Sequence, residues 1–161
     1  MHAEGLLAAG PATYVATGRR DPGDAGWEAR IERHRTRRPP SWRTVETDPE
    51  AVLREATQGD PPILVDDLAT WLTNVLDDTG GWEGSLEPAR EACARLLKAV
   101  ELCPTNLVLV SAEVGLGVIP GTRSGRLFRD ELGALNAAMA EHCTEVVLLI
   151  AGLPLRLKPG R

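Results

Sequence analysis

Between Arg30 and Arg38, five arginines (Arg30, Arg33, Arg35, Arg37 and Arg38) surround a single histidine, His34. Guanidinium groups present paired N–H donors that match phosphate oxygens two at a time. Positive charge close by disfavours imidazolium, so a histidine in such a run is biased toward its neutral, nucleophilic form. Attack by that ring on a phosphorus atom gripped by arginines is one chemistry the segment allows. A solvated basic face with an incidental histidine is the other, and it is the commoner meaning of a charge run. Spacing alone leaves both open. RNA phosphates fit less well, because no aromatic residues interleave with the arginines and the chain carries a net charge of -5.

A second candidate is Asp66, which with Asp67 follows the apolar run Ile63-Leu64-Val65. An acid at the C-terminal end of a buried parallel strand is where magnesium–phosphate sites place a Walker B carboxylate. The same pair could instead cap a helix starting at Leu68, a role open to Asp67. Glycines in Glu113-Val114-Gly115-Leu116-Gly117 permit a tight turn near a ligand, although a lone G-x-G more often marks an ordinary loop. Arg126, Arg129 and Asp130, at the start of a helical pattern, read first as surface ions. His2 is terminal, and His142 next to Cys143 suits the negative end of a helix dipole. No spacing indicates a metal cluster, a zinc motif or a Ser-His-Asp arrangement.

Positioning these residues requires a sheet. Thr13–Ala16, Ile63–Val65, Leu107–Val110 and Val146–Ile150 read as short strands. Their unbroken apolar character suits strands covered on both faces, as in a parallel sheet. Helical patterns lie over Pro49–Ala56, Leu68–Asp77, Leu86–Leu102 and Phe128–His142. Alternation of strand and helix predicts right-handed crossovers and a three-layer α/β domain spanning residues 1–161. Gly18–Gly26 and Asp77–Ser85 read as loops. Residues 1–9 resemble the tail of a helix ending at Gly10, with no strand before it.

An apolar fraction of 43% and a charged fraction of 25% place the chain among globular domains. Three cysteines, Cys93, Cys103 and Cys143, form no C-x-x-C pair, which favours free thiols in a reducing compartment. The polar N-terminus is unlike a signal peptide, and no apolar run approaches the ~20 residues of a membrane span. A cytoplasmic protein is the expectation.

Taken together, the segments resemble the bifunctional adenosylcobinamide kinase/adenosylcobinamide-phosphate guanylyltransferase family. The resemblance is carried by Tyr14-Val15-Ala16-Thr17, Arg30-Ile31-Glu32-Arg33-His34, Arg38-Pro39, Trp42-Arg43-Thr44-Val45-Glu46, Leu64-Val65-Asp66 and Trp71-Leu72-Thr73-Asn74. It continues through Glu113–Gly117, Pro120, Arg126-Leu127-Phe128-Arg129-Asp130, Gly133–Asn136 and Ala151–Leu155. These stretches keep the family's order over nearly the whole chain. The resemblance implies a P-loop-type α/β domain with a mostly parallel sheet. It also implies two reactions: phosphorylation of adenosylcobinamide by ATP or GTP, then transfer of GMP from GTP to adenosylcobinamide phosphate through a GMP–histidine. By the same resemblance His34 is the guanylylated residue. Ala16, Thr17, Gly18, Arg35, Thr36, Arg37, Arg38 and Glu46 hold nucleotide, Asp66 holds nucleotide and Mg²⁺, and the protein is a homotrimer.

Departures from the family pattern bear on these expectations. Family members begin with a strand and a G-x-x-x-x-G-K-[ST] loop, followed almost at once by His-Ala-Glu. Here that last stretch is His2-Ala3-Glu4, and no such loop occurs downstream, where the lysines are Lys98 and Lys158. The expectation is therefore a domain without its first strand and Walker A loop, through a misplaced start or as a loopless relative. Such a chain should be a poor kinase, because that loop cradles the β- and γ-phosphates. Ala112 stands where the family usually has Asn, and Arg33 where some members have a second histidine. The alternative function is a non-catalytic paralogue that binds nucleotide or serves as a subunit of an oligomer.

Overall fold

The computed structural model describes residues 2–160 except 21, 22 and 24; the side chains of Ala25, Trp27, Glu28, Arg30, His34 and Arg37 also lie outside the described residues. In chain order the elements are α1 (His2–Leu6), β1 (Thr13–Ala16), α2 (Ala25–Arg37), β2 (Arg43–Val45), α3 (Pro49–Glu55), β3 (Ile63–Asp66), α4 (Leu68–Thr79), α5 (Glu87–Leu102), β4 (Leu107–Leu109), α6 (Arg123–His142), β5 (Val146–Ile150) and β6 (Leu153–Lys158).

Four strands form one parallel sheet in the order β2-β1-β3-β4, and three of them, β1, β3 and β4, are the apolar runs read from the sequence. Tyr14 stands beside Thr44 on one side and Leu64 on the other, and Val65 beside Leu109. Side chains alternate across a strand, so this register divides the core in two. On one face Tyr14 and Leu64 pack with Ala12 and Trp42, partly covered by Ala3 and Leu7 from α1 and its end. On the other face Val15, Ile63 and Val65 meet Leu53 of α3, Leu68, Leu72 and Leu76 of α4, Leu96 of α5, and Leu132, Leu135 and Met139 of α6. Helices therefore cover both faces, giving the expected three layers.

Capping fixes where the helices start. Asp48 accepts a hydrogen bond from the Glu50 amide at 2.7 Å and opens α3, with Pro49 at its first turn. Thr122 caps α6, which begins at Arg123 rather than at Phe128, because its side chain accepts from the Gly125 amide. That first turn carries no apolar stripe, so apolar periodicity misses it.

Four elements depart from the sequence expectation, α2, β2, β5 and β6. Helix α2 occupies much of the basic run; its polar sequence has no apolar stripe to announce it, and Arg and Glu are good helix formers. Strand β2 is three residues long and mostly exposed at the sheet edge. The largest correction concerns Val146–Ile150, expected as a buried strand of the parallel sheet. It pairs antiparallel with β6 in a separate two-stranded sheet, where Leu149 and Ile150 are exposed. Ala151 and Gly152, at φ 52° and 79°, make the two-residue turn between Ile150 and Leu153. Positive φ at both central positions is what a tight hairpin of matching twist requires. Lys158 ties the hairpin to α6, donating to the carbonyls of Ala140 and Glu141 at 3.0 Å each. Among the described residues no helix is long and apolar enough to cross a membrane.

Candidate nucleotide site

Strand β1 leads to β2 on one side of the sheet, whereas β3 leads through α4 and α5 to β4 on the other. Divergent connections leave a crevice beyond the carboxyl ends of β1 and β3, the usual ligand position in open α/β sheets. A cavity of about 400 Å³ occupies this place. Its floor is Ala16, Thr17 and Gly18 after β1. One wall is Glu46, Thr47 and Asp48 after β2, and the other is Trp71, Asn74, Val75 and Asp78 on α4.

Thr17 belongs to the framework of this floor. Its hydroxyl donates to the Asp67 carbonyl at 2.8 Å and accepts from the Asp67 amide at 3.0 Å, while its carbonyl accepts from Asn74 Nδ2 at 2.8 Å. The two strand ends and α4 are thereby clamped together. The Asp66–Asp67 peptide within this clamp is cis.

Two arginine–carboxylate pairs ring the cavity mouth. Arg20 grips Glu46 through Nε at 3.0 Å and Nη2 at 2.7 Å, and Arg19 grips Asp78, with Nη1 to Oδ1 at 2.9 Å. Arg20's hydrogen bond, with a smaller contribution from the charge of Arg38, holds the Glu46 carboxyl below its ordinary range. Arg19 does the same to Asp78. Both pairs are half-exposed, so each adds little to stability and can open for a ligand.

The adjacent acids divide the two roles left open by the sequence. Asp67 caps α4, its carboxylate accepting from the Thr70 amide at 2.6 Å. Asp66 instead accepts a hydrogen bond from the Tyr14 hydroxyl on the α1 side of the sheet. Burial, then the hydrogen bond and charge of Asp66, push the Tyr14 phenol far above its usual range, so it stays a proton donor. Arg38 lies over the Tyr14 ring, 3.5 Å from its centroid, and donates to Thr44 Oγ1 at 2.7 Å.

The structure thus brings Ala16, Thr17, Gly18 and Glu46 to one cavity, while Asp66 and Arg38 both meet Tyr14 beside it, Asp66 at the hydroxyl and Arg38 over the ring. Arg35 and Thr36 lie elsewhere: Arg35 pairs with Glu32 at 2.9 Å, and the Thr36 hydroxyl donates to the Glu32 carbonyl at 3.1 Å. Both are exposed on α2. His34 falls within α2, and its side chain, like that of Arg37, lies outside the described residues. Sequence reasoning passed over Arg19, Arg20, Asn74 and Asp78. A signal was there, since Trp71, Asn74, Val75 and Asp78 recur at helical spacing on one stripe of α4.

Among the described residues no group of three or more His, Cys, Asp or Glu side chains could hold a metal ion. One carboxylate at a strand end suits Mg²⁺, which is usually held by one or two carboxylates with phosphate oxygens supplying further ligands. Asp66 fits that role and does not fit an all-protein cage.

The bifunctional adenosylcobalamin biosynthesis protein CobP of Pseudomonas aeruginosa is 40% identical over 151 residues, covering 91% of this chain and 82% of that protein. The bifunctional adenosylcobalamin biosynthesis proteins CobU of Escherichia coli and Salmonella typhimurium are 34% and 33% identical, each over 98% of this chain and 92% of theirs. The family model for cobinamide kinase / cobinamide phosphate guanyltransferase matches residues 1–157. The chain therefore belongs to the cobinamide kinase / cobinamide phosphate guanyltransferase family, whose members act in cobalamin biosynthesis.

Proposed function

We propose that this protein transfers GMP from GTP to adenosylcobinamide phosphate through a covalent GMP–histidine on His34, after phosphorylation of adenosylcobinamide by ATP or GTP. The observation that carries this reading is the cavity at the carboxyl ends of β1, β2 and β3, where Ala16–Gly18 and Glu46 converge. An imidazole nitrogen of His34 attacks the α-phosphorus of GTP; a P–N bond forms, the bond to the β-phosphate breaks, and pyrophosphate leaves. A phosphate oxygen of adenosylcobinamide phosphate then attacks the same phosphorus. The P–N bond breaks, a diphosphate ester forms and the ring is restored. Splitting one displacement into two is the advantage of a nucleophilic residue. Bound Mg²⁺ would neutralise phosphate charge, and Asp66 is the residue that would hold it. Arg38 supplies a guanidinium for phosphate oxygens, and the Arg20–Glu46 pair frames the nucleotide. Self-association into a trimer, checked by sedimentation, belongs to the same reading.

Intact-mass measurement after incubation with GTP and Mg²⁺ tests it directly. A GMP adduct on the wild-type chain, absent in His34→Ala, is expected. An adduct that survives His34→Ala removes His34 as nucleophile. GTP binding without any adduct favours a nucleotide-binding subunit that does no chemistry.

A further inference from the structure

We propose that Tyr14 is a positioning residue that sets the Asp66 carboxylate and the Arg38 guanidinium together, so that nucleotide and Mg²⁺ meet a preassembled pair. The inference rests on the reading of this site as a GTP site and deepens it.

The argument begins with register. Ala16 pairs with Asp66 and Tyr14 with Leu64, so Asp66 lies two residues beyond Leu64, on the same face of the sheet as Tyr14. Tyr14 is 2% exposed and reaches diagonally across to donate its hydroxyl proton to Asp66. Its ring does a second job. The chain leaving α2 folds back over β1, held where Trp42 Nε1 donates to the Gly10 carbonyl at 3.1 Å. That fold carries Arg38 over the Tyr14 ring, with Trp42 tilted against the same ring at a centroid distance of 6.4 Å. A phenylalanine would fill this core position equally well and would still carry the cation. The hydroxyl is what Phe lacks, and its partner is the acid at the end of β3. One side chain therefore joins the strand-end carboxylate to the arginine four residues after His34, and its two halves can be separated by mutation.

The test is GTP binding by calorimetry, in EDTA and in excess Mg²⁺, on wild type, Tyr14→Phe, Tyr14→Leu and Arg38→Ala. Tyr14→Phe keeps the ring, so its affinity in EDTA should stay within about twofold of wild type. Its gain in affinity on adding Mg²⁺ should shrink by roughly tenfold, the scale of one hydrogen bond to a charged group. Tyr14→Leu should lose that gain and also bind about three- to tenfold more weakly in EDTA, the scale of a cation–π contact. Arg38→Ala should reproduce the EDTA loss while keeping the Mg²⁺ gain, which covers the case of Tyr14→Leu failing to fold. A purely structural tyrosine would weaken binding alike in both conditions. That result, or an unchanged Mg²⁺ gain in Tyr14→Phe, overturns the proposal while leaving the GTP site intact. No GTP binding by the wild type overturns the reading of the site itself.

Discussion

Neighbouring acids with unlike partners should respond unlike to mutation. Asp67 caps α4 through the Thr70 amide, so Asp67→Ala should lower stability by about 1 kcal/mol, read as a shift in urea midpoint without a change of slope. Asp66→Asn keeps an acceptor for the Tyr14 hydroxyl. It should cost less stability yet remove most of the Mg²⁺-dependent part of GTP binding. Equal stability losses with unchanged Mg²⁺ dependence would contradict this division. Glu46 adds a pH signature. Arg20 depresses its carboxyl in the folded chain below the ordinary value of 4.5, so the contribution to stability is present above that pH and fades as pH falls through the depressed value. The difference in thermal midpoint between wild type and Glu46→Gln should therefore exist near pH 6 and close as pH falls below 4.5 through the depressed value. Because the pair is half-exposed, the difference will be small.

Helix α4 is the element on which the cavity wall depends. It turns Leu68, Leu72 and Leu76 into the core and presents Trp71, Asn74, Val75 and Asp78 along the cavity. Leu72 is 0% exposed, so Leu72→Ala should destabilise the chain by about 2–5 kcal/mol, and GTP affinity should fall with it because Asn74 and Asp78 lose their footing. Full GTP affinity in a destabilised Leu72→Ala chain would show that the wall does not need this packing. The β5–β6 turn carries the opposite kind of opportunity. Ala151 sits at φ 52°, a conformation Asn adopts more readily, so Ala151→Asn should stabilise the hairpin by on the order of 0.5–1 kcal/mol in a thermal melt. Elements with an apolar stripe were legible in advance: α4 and α5 differ from their expected spans only at the ends. Helix α2 was not, because its sequence is mostly polar, and β2 was not, because three residues, two of them exposed, carry no period.

At the scale of the molecule, folding also sets thiol chemistry. Burial pushes the Cys93 thiol up to about 11 from an ordinary 9.0, and burial raises Cys143 as well. At pH 8 the thiolate fraction of Cys93 should fall by about 100-fold relative to the unfolded chain, so alkylation should be slow until denaturant is added. Fast native alkylation of Cys93 would mean that α5 does not pack as described. The sequence by itself determined the parallel α/β core, since Val, Leu and Ile runs between amphipathic helices have few other ways to hide both faces of a sheet. It also marked Asp66 and the arginine-flanked His34 as chemical candidates. Tertiary structure alone decided that Arg19, Arg20 and Asp78 ring the cavity, that Arg35 and Thr36 stay on the surface of α2, and that Arg38 rides on Tyr14 beside Asp66. It decided as well that Val146–Ile150 joins a hairpin and not the parallel sheet. Composition and period report how each segment buries its own apolar atoms. Which polar side chains then meet depends on strand order, register and the direction of each connection, and these are properties of the assembled chain.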